Sequence, residues 1–399
     1  MTTMPQLTEL TNRLAAVEAT LPADGCAGTL VGRVWDPEVA GPSPVVVLDD
    51  GVHELSAAYP TVRDLCEEPA PAEAARKAAG RRIAGLAELI DATRAGDPAR
   101  PRLLAPVDLQ TLKAAGVTFA VSMIERVIEE RVRGDFAAAT AMRDQILAEI
   151  GADLAAIVPG SPEAERLKAF LAEQGLWSQY LEVGIGPDAE IFTKAPTLAA
   201  VGSWARVGVP PSSSWNNPEP EVALVVSSRG QVVGATLGND VNLRDVEGRS
   251  ALLLPQAKDN NASCALGPFV RLFDDTFTMD DVQQVTVTLD VHGEDGFHLS
   301  DSSPMSQISR HPRALVEQLF RSHDYPDGAV LMLGTLFAPV VDRGTEGQGF
   351  THRRGDVVRI AAPQLGSLVN EVQHCGDCPP WDYGLRDLMA NLARRGLLG

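Results

Sequence analysis

Asn216-Asn217-Pro218-Glu219-Pro220-Glu221, Gly238-Asn239-Asp240-Val241-Asn242-Leu243-Arg244-Asp245 and Lys258-Asp259-Asn260-Asn261 all fall between Trp215 and Pro268, and this stretch decides how the chain is read. Inside it, Val222 to Val226 and Val232 to Leu237 flank a Ser-Arg-Gly turn, which reads as a β-hairpin. Glu219 and Glu221 stand two apart at the start of the first strand. Their side chains therefore project to one face, roughly 6.5–7 Å apart along the chain. Pro220 is tolerated there because the first residue of a strand can lack a ladder donor. Two carboxylates on one face repel each other unless a cation sits between them. Asp240, just past the second strand, can return to the same neighbourhood and bring a third. Three hard oxygen ligands with open positions suit Mg²⁺, with Mn²⁺ or Ca²⁺ as alternatives, better than zinc. Taken singly, each residue has a plainer reading. Paired acids at a strand start are commonly solvated, Arg244 four residues after Asp240 has the spacing of a helix-face ion pair, and Lys258 alone is a surface lysine.

Outward from this block the pattern is mixed. Toward the C-terminus, Val285, Val287, Leu289 and Val291 alternate with Thr286, Thr288 and Asp290 as a half-buried strand. Val357–Ala361 and Leu368–Val372 read as two more strands, and Pro312 to about Phe320 as a helix. Toward the N-terminus, Ser161-Pro162-Glu163 is a helix start, with Gly175 as its stop. Val121, Ile124, Ile128 and Val132 recur at helical spacing between Phe119 and Ile150, with a break at Gly134-Asp135. Gly28 to Leu55 reads as short strands, Asp50-Gly51 making a hairpin. Residues 67–100 read as an exposed helical connector. A composition shift punctuated by proline, from Pro101 to Pro106, divides a small N-terminal α/β domain (1–105) from a strand-rich α+β domain (106–399).

The 399 residues carry 34 basic and 53 acidic side chains, a net charge of −19. A field of that sign disfavours nucleic acid and anionic membrane surfaces, and an anionic substrate then needs a local cation. No run of about 18 apolar residues spans a membrane and no signal-peptide core is visible, so the expectation is cytoplasmic. Five cysteines, an odd and small number, fit a reducing compartment. Cys375-Gly376-Asp377-Cys378 beside His374 lacks a second pair to close a zinc site and reads as a loop with free thiols. Gly347-Gln348-Gly349 is a turn, and Met305 to Arg310 a loop in which Ser309 caps the next helix. The seven histidines are scattered, with none near the acidic block, so a Ser-His-Asp arrangement has no local support.

The block resembles the fumarylacetoacetate hydrolase superfamily, whose members share Glu-X-Glu, a hairpin, Gly-Asn-Asp-X-X-X-Arg-Asp, and a lysine followed by Gly-Pro. Here these are Glu219 and Glu221, Gly238-Asn239-Asp240 with Arg244-Asp245, Lys258, and Gly267-Pro268. Ile191-Phe192-Thr193-Lys194-Ala195-Pro196 is similar to its Phe-X-Lys-X-Pro strand, Leu333-Gly334-Thr335 to its Gly-Thr loop, and Gly355 to Val358 with Leu368 to Asn370 to its closing strands. The match runs from about Val117 to Val372. The resemblance implies a mixed β-sheet roll and a divalent ion on Glu219, Glu221 and Asp240 that chelates a 2-oxo acid. It implies Lys258 against the developing enolate, Arg244 in the catalytic set, and Lys194 and Thr335 holding the substrate carboxylate. It also implies a homodimer or homotetramer. Hydrolases of the family carry a histidine base where this chain has Ser122, in Thr118-Phe119-Ala120-Val121-Ser122. Together with Trp177 to Tyr180 and Trp215 to Glu219, that departure resembles the sugar-acid dehydratase branch. The implied reaction dehydrates a 2-keto-3-deoxy sugar acid, of the D-xylonate or D-arabinonate type, to 2-oxoglutarate semialdehyde in pentose catabolism. Ser122 then faces substrate, and Glu182 or Glu125 is the candidate acid or base. Two alternatives stand: a hydrolase or decarboxylase of acylpyruvates or oxaloacetate, with a histidine such as His352 brought in from elsewhere, and a non-catalytic scaffold.

Overall fold

The computed structural model describes residues 4–119, 123, 157–173, 177–339, 341–344 and 349–398. The strands are β1 Leu30–Asp36, β2 Gly41–Leu48, β3 Gly51–Glu54, β4 Arg82–Ala84, β5 Arg102–Leu103, β6 Thr111–Gly116, β7 Glu190–Ala195, β8 Arg206–Val209 and β9 Asn216–Asn217. They continue as β10 Pro220–Val226, β11 Val232–Asp240, β12 Asn242–Leu243, β13 Cys264–Leu272, β14 Thr286–His292, β15 His298–Pro304, β16 Ala329–Met332, β17 Val357–Ala362 and β18 Gly366–His374. Among the described residues, the larger sheet runs β4-β3-β2-β1-β13-β11-β10-β16-β6-β7, with β5 beside β1. A second sheet runs β15-β14-β17-β18-β8, and β9 pairs with β12. Most pairs are antiparallel; β16 with β6 and β18 with β8 are parallel. This is the α+β class with mixed sheets that the sequence implies.

β10 shows why the sheets stack. All seven of its residues are buried, so both faces of the strand are covered. Val222, Leu224 and Val226 meet Val287, Leu289 and Val291 of β14 and Ile360 of β17 in the core between the sheets. Ala223 and Val225 face the other way, into a core with Val62, Leu65 and Ala75 of the helices Val62–Cys66 and Pro71–Lys77. The period of two thus serves two cores with one strand.

The expected hairpins at Asp50-Gly51 and across Ser228-Arg229-Gly230 are present as β2–β3 and β10–β11, and the helix Pro312–Phe320 has the expected bounds. Residues 67–100 need correction. Ala72 and Ala75 of one helix and Leu86, Leu89, Ile90 and Ala92 of the helix Leu86–Ala95 are buried, and β4 between them extends the sheet. Their alanine and arginine content hid an apolar face. Ser309 does not cap the following helix. Its hydroxyl donates to the Thr118 carbonyl, while His311 Nδ1 accepts from Arg313 N. The expected boundary at 105/106 falls in the loop joining β5 to β6, and β1 pairs with β13, so strands from both sides share one sheet. The helices expected between Phe119 and Ile150, including Ser122 and Glu125, and the turn at Gly347-Gln348 lie outside the described residues. So does Gly175.

Candidate active site

β10 and β11 bring the three acids together. Pro220 pairs with Asn239 and Glu221 with Gly238, so the start of one strand lies against the end of the other. Glu219, Glu221 and Asp240 are each 1% exposed and offer one oxygen apiece, all within 4.8 Å of one another. Three such charges cannot lie this close in a buried site without compensation.

That compensation is explicit. Lys258, at the end of the short helix Leu254–Lys258, places Nζ between Glu219 Oε2 and Asp240 Oδ2, the latter at 2.9 Å. Asp240 Oδ1 pairs with Lys194 Nζ at 2.7 Å. Asn242 donates one Nδ2 hydrogen to Glu219 Oε1 at 3.0 Å and another to Glu247 Oε2 at 2.6 Å. Gly334 N donates to Glu221 Oε2 at 2.7 Å, and Thr335 Oγ1 to Oε1 at 3.4 Å. Gly334 has φ +103°, and a Cβ there would meet Thr118 Oγ1 at 2.0 Å. Only glycine lets this backbone come close enough to serve Glu221. Neither lysine pairs with Glu221. Burial, then the charges of Asp240 and Glu219, push its carboxyl well above the usual range, against the pull of Lys258 and the Gly334 N–H. A divalent cation removes that conflict. The donor set is all oxygen, and each carboxylate is held by a second group, as metal-ligating acids commonly are. The residues fit such an ion.

The pocket over the triad is lined by Glu219, Glu221, Asp240, Lys258 and Thr335, and also by Glu190 and Glu247. Lys194 is fully buried. Its Nζ is enclosed by Asp240 Oδ1, the carbonyls of Val241 and Lys258, and Ser263 Oγ, so it stands behind Asp240 instead of facing a substrate. Arg244 is also buried, with its guanidinium 4.5 Å from the Trp215 ring and Nη1 donating to Pro339 O. Asp240 ends a strand, so the helix-face pairing with Arg244 does not arise. Glu182, on the helix Gln179–Ile185, is 42% exposed and pairs with Lys168 at 2.6 Å; it does not line the pocket.

Two acids at the pocket were not read from the sequence. Glu190 opens β7, directly across from Gly116 on β6. A Cβ on Gly116 would meet Glu190 Oε2 at 1.9 Å, so the missing side chain makes room for the carboxylate. The available signal was period two: Glu190, Phe192 and Lys194 share one face of the strand. Glu247 follows Asp240 by seven residues and carries no motif of its own.

Among the described residues no histidine lines this pocket, and all seven histidines lie in described segments. His352, the proposed substitute base, is a 9%-exposed ring with no hydrogen-bond partner at either nitrogen among the described residues. The Cys375–Cys378 loop is a single turn with free thiols. Burial raises the Cys375 thiol, and burial followed by Cys375 takes Cys378 up to about 11, so neither is poised as a thiolate.

Residues 171–373 match the family model described as fumarylacetoacetate (FAA) hydrolase C-terminal. The chain is 31% identical over 187 residues to the 2-dehydro-3-deoxy-D-arabinonate dehydratase of Saccharolobus solfataricus, covering 46% of this chain and 58% of that protein. It is 32% identical over 200 residues to the probable 2-keto-3-deoxyxylonate dehydratase of Haloferax volcanii, covering 50% and 65%. The matched stretch therefore spans about six-tenths of these relatives. A solved 2-keto-3-deoxy-D-arabinonate dehydratase, complexed with magnesium and 2,5-dioxopentanoate, superposes with a TM-score of 0.57 at 21% identity, over 86% of this chain and 99% of that one. At that identity the superposition establishes the shared fold.

Proposed function

Because the chain belongs to the fumarylacetoacetate hydrolase family, we propose that it is a Mg²⁺-dependent hydro-lyase of 2-keto-3-deoxy pentonates, forming 2-oxoglutarate semialdehyde in pentose catabolism. It would work in the cytoplasm as a homo-oligomer. One observation carries the choice of dehydratase over hydrolase: the pocket joins a buried three-carboxylate set to a lysine and two further acids, with no histidine among its lining residues. The two relatives at 31% and 32% identity carry dehydratase names, which supports the same reading.

Glu219, Glu221 and Asp240 would hold the ion, which supplies Lewis-acid polarisation of the substrate's carboxylate and keto oxygens. The chain's own groups then handle charge and protons. Glu190 takes the C3 proton, which the adjacent ketone acidifies. The Lys258 ammonium, already between two of the carboxylates, offers charge and hydrogens to the oxygen that becomes negative. The C4 hydroxyl leaves with the proton Glu190 has collected, so C3–H and C4–OH depart as one water. Moving a C5 proton to C3 turns the resulting C3–C4 alkene into a C4–C5 enol, and the enol ketonises to the aldehyde. Thr335 and the Gly334 N–H hold Glu221 in place, Lys194 fixes Asp240 from behind, and Glu247 is a second acid within the pocket. The test is incubation with 2-keto-3-deoxypentonates in Mg²⁺ or in EDTA. Semialdehyde formed only with Mg²⁺ is the expected result. Pyruvate plus an aldehyde would make the protein an aldolase, and no turnover on a panel of 2-oxo acids would favour a scaffold.

A further inference from the structure

A second cavity lies on the N-terminal half of the large sheet and shares no lining residue with the triad pocket. Arg33 and Trp35 stand two apart on β1, on the same face. Pro42 of β2 lies opposite Trp35, and the C-terminal segment Trp381-Asp382-Tyr383 closes over them around about 150 Å³. That is room for about five waters, or for a small organic acid. Tyr383 meets Trp35 edge-on at 5.3 Å, and Trp381, 48% exposed, forms the open side.

Arg33 is the anomaly. It is only 7% exposed, and the one hydrogen bond of its guanidinium among the described residues goes to the Val107 carbonyl; no carboxylate among them pairs with it. A nearby acid, Asp108, spends its oxygens on the backbone N–H groups of Val62, Arg63 and Leu109. A largely buried guanidinium with no carboxylate in hydrogen-bond reach is costly to keep. Here it lines a cavity walled by three aromatic rings.

We propose that this cavity binds a small monocarboxylate, its carboxylate on the Arg33 guanidinium and its apolar body among Trp35, Trp381 and Tyr383. A planar guanidinium matches a carboxylate with two parallel hydrogen bonds. A single arginine balances one negative charge, and Asp382 at the cavity wall, on a chain of net charge −19, selects against dianions such as phosphate. The aromatic walls favour a ligand with a flat or aliphatic body over a bare inorganic ion.

The experiment titrates the full chain, in EDTA so that the triad binds no carboxylate through a metal, with benzoate, propanoate, chloride and inorganic phosphate. Tryptophan fluorescence and thermal melts are read together. Benzoate and propanoate should change the fluorescence saturably and raise Tm, while chloride and phosphate should not. Arg33→Met should weaken benzoate about ten- to hundredfold, the usual weight of a charged hydrogen bond, and should melt higher than wild type without ligand because a buried charge is gone. Trp381→Ala, altering a half-exposed side chain, should weaken benzoate more than propanoate and keeps the test alive if Arg33→Met does not fold. Glu221→Gln should bind benzoate like wild type. The proposal falls if no carboxylate binds saturably, if phosphate or chloride binds as tightly as benzoate, if Arg33→Met binds unchanged, or if binding disappears in Glu221→Gln.

Discussion

Replacing Glu221 by Gln keeps the side chain's size and its partners at Gly334 and Thr335 while removing one charge and one strong oxygen donor. The three ligand oxygens lie within 4.8 Å, and two unit charges at that distance repel by about 3.5 kcal/mol at an effective dielectric of about 20. Because burial and its two neighbours already push the Glu221 carboxyl up, the metal-free wild type relieves part of that repulsion by binding a proton. Gln makes the relief permanent, so the variant in EDTA should be at least as stable as wild type. With Mg²⁺ the sign reverses. Stabilisation by a ligand follows RT ln(1 + [L]/Kd), and a hundredfold weaker Kd at saturating metal removes about 2.7 kcal/mol. With an unfolding entropy of about 2.1 cal/mol/K per residue, that is a loss of about 3 °C in the Mg²⁺-minus-EDTA difference in Tm. Paired melts of wild type, Glu219→Gln, Glu221→Gln, Asp240→Asn and Asp245→Asn measure it. Asp245 is the control, since its carboxylate accepts from Ser213 Oγ and Ser214 N at 2.8 Å each and ties down the preceding turn. If the Mg²⁺-minus-EDTA difference is the same in all five proteins, the triad is not a metal site and the reasoning is refuted.

Glu190→Gln should lower kcat by about 10²- to 10⁴-fold, the usual weight of a positioned proton carrier, while keeping the Mg²⁺-linked rise in Tm. Turnover close to wild type would remove Glu190 from the chemistry. Gly334→Ala places a methyl 2.0 Å from Thr118 Oγ1 at a positive φ, so Glu221 loses its backbone donor; Mg²⁺ affinity measured by calorimetry should drop, and an unchanged affinity would show that the loop does not position the ligand. His352 titrates in the opposite sense to a paired histidine. Burial, then Arg343, hold its ring at about 3, below the ordinary 6.5, so the unfolded chain takes the proton first. Its contribution to stability is present above about pH 6.5 and is lost as pH falls toward 3, on the order of 5 kcal/mol in all. In urea melts between pH 7 and 4, wild type should lose stability relative to His352→Gln as the solution becomes more acid, and a constant difference would count against a neutral buried ring.

Whatever depends on short-range periodicity could be read from the residues in order. A step of two along a strand puts Glu219 and Glu221 on one face, the Ser228-Arg229-Gly230 turn folds β11 back on β10, and Asp240 at its end completes the three-acid set. The family resemblance added Lys258 and Thr335, whose separation from the acids hides their proximity. Which charged groups face the pocket depends on how the strands and helices pack. Lys194 and Glu190 lie on the same strand, yet one is enclosed behind Asp240 and the other lines the cavity, because β6 offers Gly116 opposite Glu190 and no side chain to fill the space. Glu182 sits in a suggestive phrase and ends in a half-exposed pair with Lys168. Asn242 and Glu247 join the site through a hydrogen-bond bridge that no spacing announces. Arg33 reads as an ordinary basic residue in a strand until Trp381 and Tyr383, about 350 positions later, close over it. Periodicity is local and survives in one dimension; which charge is neutralised, and by what, depends on chain segments that only the packed sheets bring together.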